Sequence, residues 1–212
     1  VVVTSTSLAA AESEDKPEIS IFPLLQEQAK GAVEKLESMP SFLFERLKEK
    51  PVLPWDEDSK FIIGDYARER GAEVPDRLIS SAKSWLCNTR IDRTQPVLPW
   101  NAPEDNAKVS PLQAIANFLD HVRLAWNEEN AKDKLENQKV IVTIPASFDA
   151  AARDLTVEAA RKAGLTEVTL LEEPQSAFYS WISQSDKPWR KQVKKGDVVL
   201  VVDVGGGTTD FS

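Results

Sequence analysis

The chain has 212 residues, with 26 Lys and Arg against 34 Asp and Glu, a formal charge of −8, and 42% hydrophobic residues. The acidic balance argues against a nucleic-acid binder, and the apolar share is enough for a packed core and too high for a disordered chain. One large or two small domains fit this length.

Val1 to Ala11 has neither an initiating Met nor a basic stretch, so it does not read as a signal peptide, and the reading expects a piece cut from something longer. No apolar run approaches the ~20 residues that span a bilayer, so no membrane association is expected. Nine of the 13 Pro fall between Pro17 and Pro103, which predicts short elements and loops in the first half. Leu36 to Lys50 reads as a moderately helical charged stretch interrupted by Pro40, and Phe61-Ile62-Ile63-Gly64 as a short strand ending in a turn. The string Pro-Val-Leu-Pro-Trp occurs at 51–55 and again at 96–100. Two copies do not make a repeat architecture, and they read as similar apolar loop or edge-strand segments.

From Pro75 the spacing predicts a helix with Leu78, Ile79, Ala82, Trp85 and Leu86 on one face. Lys83 falls near the edge of that face, where a long side chain can emerge toward a cleft; a snorkelling surface lysine is the plainer reading of the periodicity alone. Cys87 is the only cysteine, so no intrachain disulfide can form, and the pattern suits a reducing compartment such as the cytoplasm. Ser110-Pro111 opens a second helix as N-cap and first residue, with Leu112, Ile115, Leu119, Val122 and Trp126 as its buried stripe. His121 in that helix is the only histidine. One His and one Cys are too few for a zinc site, and a Cys87–His121 dyad competes with the plainer reading of buried or capping side chains. Chemistry in this chain therefore rests on carboxylates, Lys, Thr and backbone.

The second half changes rhythm. Val140 to Ile144 is a β-branched run of the kind buried on both faces of a largely parallel sheet. Asp149 caps a helix over 150–163 that stops at Gly164; Val168 to Leu171 is the next strand, Pro174 starts a helix carrying Ala177, Phe178 and Trp181, and Val198 to Val202 is a third buried strand. Strand, helix, strand, helix, strand is an α/β pattern. The loop from Ser183 to Gly196 holds Lys187, Arg190, Lys191, Lys194 and Lys195 around Trp189, and reads as a solvated face.

Two segments carry chemistry. After Val198-Val199-Leu200-Val201-Val202 come Asp203, Gly205, Gly206, Gly207, Thr208, Thr209 and Asp210. The glycines let successive N–H groups converge on an anion, the two threonines offer hydroxyl donors, and Asp203 and Asp210 can hold Mg²⁺ through its waters. A Gly-Gly-Gly turn alone is as often a hairpin loop or linker, and neither a P-loop nor a dinucleotide fingerprint is present. The second is Leu171-Glu172-Glu173-Pro174 at the end of a strand. Held before Pro174, Glu173 is expected extended and able to orient a water attacking a terminal phosphate; a helix-start acid is the plainer alternative.

Residues 140–212 resemble the ATPase domain of the DnaK-type, seventy-kilodalton heat-shock chaperone family, a branch of the actin and sugar-kinase superfamily. The resemblance rests on four motifs in order: Val142-Thr143-Ile144-Pro145-Ala146-Ser147-Phe148, Ala160-Arg161-Lys162-Ala163-Gly164-Leu165, Glu173-Pro174, and Asp203 to Asp210. Residues 60–130 match more loosely, through Ile63-Gly64 and the helix with Lys83, and residues 1–59 hardly at all.

That resemblance implies an incomplete actin-like ATPase (ribonuclease-H-like) α/β fold. Residues 1–182 would be the first lobe, with 36–109 an inserted small subdomain, and 183–212 a linker and the start of the second lobe. It implies that Lys83 contacts the transferred phosphate, Glu173 places the attacking water and metal, and Asp203 acts on the Mg²⁺ waters. Gly205, Gly206, Gly207, Thr208 and Thr209 would cradle the phosphates of ATP or ADP, with Asp210 completing the metal shell; Pro145 and Arg153 would pass on the nucleotide state. Unfolded polypeptide clients and cochaperones would be partners of the parent protein, with no nucleic acid. Val1 to Ala11 lacks the Asp and Gly of the family's first phosphate loop, so residues 1–212 alone are expected neither to bind ATP tightly nor to turn it over. Another superfamily ATPase, or a non-catalytic pseudo-ATPase scaffold, is the alternative.

Overall fold

The computed structural model describes residues 21–46, 50–55, 59–104, 106–185, 189–204 and 209–212. Strands β1 (Leu24–Glu27) and β2 (Val33–Leu36) form an antiparallel pair. Strands β3 (Phe42–Glu45), β4 (Phe61–Ile63) and β5 (Leu78–Ser80) form an antiparallel sheet with β3 in the centre. Leu43 lies opposite both Ile63 and Ile79, and Phe44 opposite both Ile62 and Leu78.

This sheet corrects two expectations. The described part of the Leu36 to Lys50 stretch is not helical: Phe42–Glu45 is β3, where Leu43 and Phe44 are consecutive, both fully buried, and packed on opposite faces. Leu43 joins Ile79, Ala82, Leu98, Ala114 and Phe118, while Phe44 joins Ile62 and Ala67. Only a strand sends adjacent side chains to opposite sides in this way. The helix expected from Pro75 is split for the same reason: Leu78 to Ser80 is β5, and only α2 (Ala82–Leu86) is helical. Apolar residues at 78, 79, 82, 85 and 86 satisfy helical spacing, yet the first two take a sheet partner.

The strand at Phe61 to Ile63 stands as expected. Gly64, at φ +89°, turns the chain into α1 (Asp65–Glu73); a Cβ there would come within 2.3 Å of Gln26 Oε1, so glycine is required by both conformation and space. Both Pro-Val-Leu-Pro-Trp copies bury their leucine, Leu53 and Leu98, and lay their tryptophan on a neighbour. Trp55 stands edge-on to His121 with ring centres 5.8 Å apart, and Trp100 stacks on Trp85 at 5.1 Å.

The second expected helix is α3 (Pro111–Glu129). Ser110 Oγ accepts from the Gln113 N–H at 3.0 Å, and Leu112, Leu119, Val122 and Trp126 are buried, with Ile115 partly so. Its stripe packs on Ala159 and Ala160 of α4 (Ala150–Lys162), and on Ala163 and Leu165 just after it. Helix α4 is the crossover between the parallel strands β6 (Val140–Ile144) and β7 (Val168–Glu172), paired from Val140 opposite Val168 to Ile144 opposite Glu172. At its end Gly164 adopts φ +82°, the left-handed turn that stops a helix.

Expectation and structure differ again in how deeply the apolar strands are covered. In β6, Ile144 is 2% exposed but Ile141 is 48% exposed, so one face is open among the described residues. The Val198 to Val202 run is not a third buried strand. Instead Val202–Val204 forms β8, paired antiparallel with β9 (Thr209–Phe211), and Val201 and Ser212 extend the hairpin through reciprocal backbone bonds of 2.9 and 3.0 Å. Val198 is 96% exposed and Leu200 67%, so the run is left largely open among the described residues. No described helix is long and apolar enough to cross a membrane.

Candidate functional site

Helix α5 (Glu173–Gln184) begins directly where β7 ends. Glu172 is its extended N-cap, and Glu173 is its first residue rather than an extended one, with Pro174 in the first turn where its missing N–H breaks no helical bond. The helix-start reading of Glu173 is thus the observed one, and its carboxylate lies where the helix dipole favours negative charge. Lys83, 90 residues away on α2, donates from Nζ to Glu173 Oε1 at 3.0 Å. The lysine side chain is 48% exposed and the glutamate 20%. Two residues that the sequence nominated separately therefore meet, and their charges remain accessible to solvent.

A second ion pair lies beside the first. Arg153 on α4 donates from Nη2 to Glu172 Oε1 at 2.7 Å and from Nε to the Phe148 carbonyl at 3.1 Å. Pro145, after β6, is buried at the same end of that sheet.

The support beneath α2 was not legible in the sequence. Arg93 forms a two-pronged pair with Asp149, Nη1 to Oδ1 at 3.0 Å and Nη2 to Oδ2 at 2.9 Å, and its Nε donates to the Asn88 carbonyl. Asp149 also accepts from the Ala152 N–H at 2.7 Å, so one carboxylate caps α4 and ties it to the loop that leaves α2. The hydrogen bonds from Arg93, then the capping N–H, hold the Asp149 carboxyl down to about 2, and the same pairing raises Arg93. Nothing local marks a pair 56 residues apart.

His121 is buried. Its Nε2 donates to the Leu25 carbonyl at 3.0 Å, and burial depresses its pKa to about 4 against that bond. A neutral, tethered imidazole is structural, as the plainer reading of the sequence had it.

Asp203 is exposed on β8, and its Cα partner across the hairpin is Asp210. Gly205, Gly206, Gly207 and Thr208 lie outside the described residues, and Thr209 and Asp210 are described in backbone alone. No cluster of three metal-ligating side chains occurs among the described residues. Carboxylates in small number suit Mg²⁺, which keeps several waters and draws its other ligands from phosphate.

The described residues make a mixed α/β chain with one βαβ unit, and an ion pair from Lys83 to the first residue of the helix that follows β7. Residues 57–212 match the family model described as Hsp70 protein. The chain is 33% identical over 159 residues to chaperone protein HscA of Proteus mirabilis, covering 71% of this chain and 24% of that relative. It is also 33% identical over 155 residues to chaperone protein DnaK of Mycoplasmopsis agalactiae, covering 73% and 22%. The chain belongs to the Hsp70 family, that of these chaperones, and spans about a quarter of the length of the curated relatives it matches. Membership carries the actin-like ATPase class of fold and a family that binds nucleotide.

Proposed function

We propose that this chain is part of the nucleotide-binding domain of a DnaK-like molecular chaperone that hydrolyses Mg-ATP and couples the nucleotide state to unfolded polypeptide. The observation that carries the reading is the Lys83–Glu173 contact, because it joins two residues nominated for the same chemistry across 90 positions of chain. In this reading residues 1–182 form the first lobe, with 36–109 its small subdomain, and 183–212 lead into the second.

Lys83 supplies a mobile point charge that moves from Glu173 to an incoming terminal phosphate. Released from the lysine, the Glu173 carboxylate orients the attacking water and accepts its proton. Asp203 and Asp210, opposite each other in the hairpin register, would hold a magnesium ion, which would neutralise phosphate charge. Gly205, Gly206, Gly207, Thr208 and Thr209 cradle the phosphates with N–H and hydroxyl donors. Arg153 and Pro145 pass the nucleotide state to the client-binding part, and clients and cochaperones act through the full-length protein.

The test is Glu173→Ala in the full-length protein. ATP binding is expected to persist while single-turnover hydrolysis slows by about a hundredfold or more, the size of a lost general base. Unchanged turnover overturns the assigned role.

A further inference from the structure

Glu172 and Glu173 are adjacent carboxylates, and each has its own cation from a different helix. Their partition is not self-evident. Lys83 is flexible and half-exposed, and an exposed ion pair is weak, so a second carboxylate one residue away competes for the same ammonium.

Three features settle the partition. Glu172 is the N-cap of α5, where a side chain ordinarily accepts from the second or third helical N–H. Pro174 removes the first of those donors, and Glu172 makes no side-chain capping bond. Its carboxylate is turned instead to Arg153. The guanidinium that receives it is itself tethered, through Nε, to the Phe148 carbonyl at the foot of α4. Arg153 therefore presents a fixed donor, whereas Lys83 presents a mobile one.

We propose that Arg153 is a positioning residue: it draws the Glu172 carboxylate aside, so that Lys83 pairs with Glu173 alone. This rests on the reading of Lys83 and Glu173 as the phosphate-facing pair, and it adds Arg153 and Glu172 as the device that keeps that pair exclusive.

The experiment reads which carboxylate Lys83 senses, by NMR of the Lys83 Nζ resonance in the nucleotide-free full chain. With Arg153 present, Glu173→Gln is expected to move this resonance, and Glu172→Gln to leave it in place. In the Arg153→Met background, Glu172→Gln is expected to move it by an amount comparable to Glu173→Gln, because the freed rival now shares the lysine. Arg153→Lys, which keeps the charge but loses the Nε tether to Phe148, restores the original pattern only in part. A Lys83 resonance indifferent to Glu172→Gln in the Arg153→Met background overturns the proposal, as does one equally sensitive to both carboxylates with Arg153 intact. If Arg153→Met does not fold, Arg153→Gln, which keeps a polar head without the charge, carries the same comparison. No nucleotide enters the measurement. Normal hydrolysis by Glu173→Ala would therefore sink the catalytic reading and leave the partner exchange standing, and an absent exchange would do the reverse.

Discussion

Two runs of this chain are nearly interchangeable as sequence, Val-Ile-Val-Thr-Ile at 140–144 and Val-Val-Leu-Val-Val at 198–202, yet their surroundings differ sharply. The first becomes a parallel strand whose last residue, Ile144, packs with Leu86, Phe148 and Ala152. The second leads into an antiparallel hairpin with Val198, Leu200 and Val204 exposed to solvent. A β-branched apolar run specifies extended backbone; burial requires a covering layer, and for Ile144 that layer is Leu86 of α2, Phe148 and Ala152 of α4.

The largest expected effect tests this contrast directly. Ile144→Ala should destabilise the chain by about 2–5 kcal/mol in denaturant unfolding, the cost of transfer plus an unfilled cavity, while Leu200→Ala should stay within roughly 0.5 kcal/mol. Equal losses at the two sites would show that the hairpin is covered after all.

The next effect separates the buried α3 block from solvent through pH. His121 is held neutral with a pKa near 4 in the folded chain against 6.5 unfolded. Its contribution is complete above 6.5 and is lost as pH falls toward 4, because the unfolded chain takes up the proton first; the loss is about 3 kcal/mol. His121→Gln should flatten stability across that window, and an unchanged slope would assign it to other groups. Asp149 acts in a separate and lower window: its support is present above 3.8 and fades as pH falls toward about 2. The smallest effect is at the helix start, where Ser110→Ala should cost about 1 kcal/mol by removing the bond to the Gln113 N–H. A neutral result would mean that Pro111 and packing alone set the start of α3.

Legibility followed the range of the interactions. Ser110, Pro111, Asp149 and Gly164 were readable because a cap is satisfied within three or four residues of itself. Strand β5 reads as helix because its spacing also fits one, and β3 because the stretch around it is charged and moderately helical; the choice is made by Leu43 bridging Ile63 and Ile79 far along the chain. At the site, Lys83 follows from helical spacing and the looser family resemblance and Glu173 from its Glu-Pro motif, but Glu173, expected extended, is the first residue of α5. Arg93 carried no signal at all, since an arginine announces neither its partner nor its depth.

The sequence by itself determined the side chains available in these 212 residues: one histidine and one cysteine are too few for a zinc site, and the motifs resemble those of the Hsp70 family that residues 57–212 match. Helix caps and the βαβ rhythm were also its own, since both arise from short-range backbone bonding. Only the tertiary structure decided which apolar strand would be covered, which carboxylate Lys83 would meet, and which would be drawn off by Arg153. Those outcomes depend on groups tens of residues apart arriving at one place, and their energies exist only once the chain has closed around them.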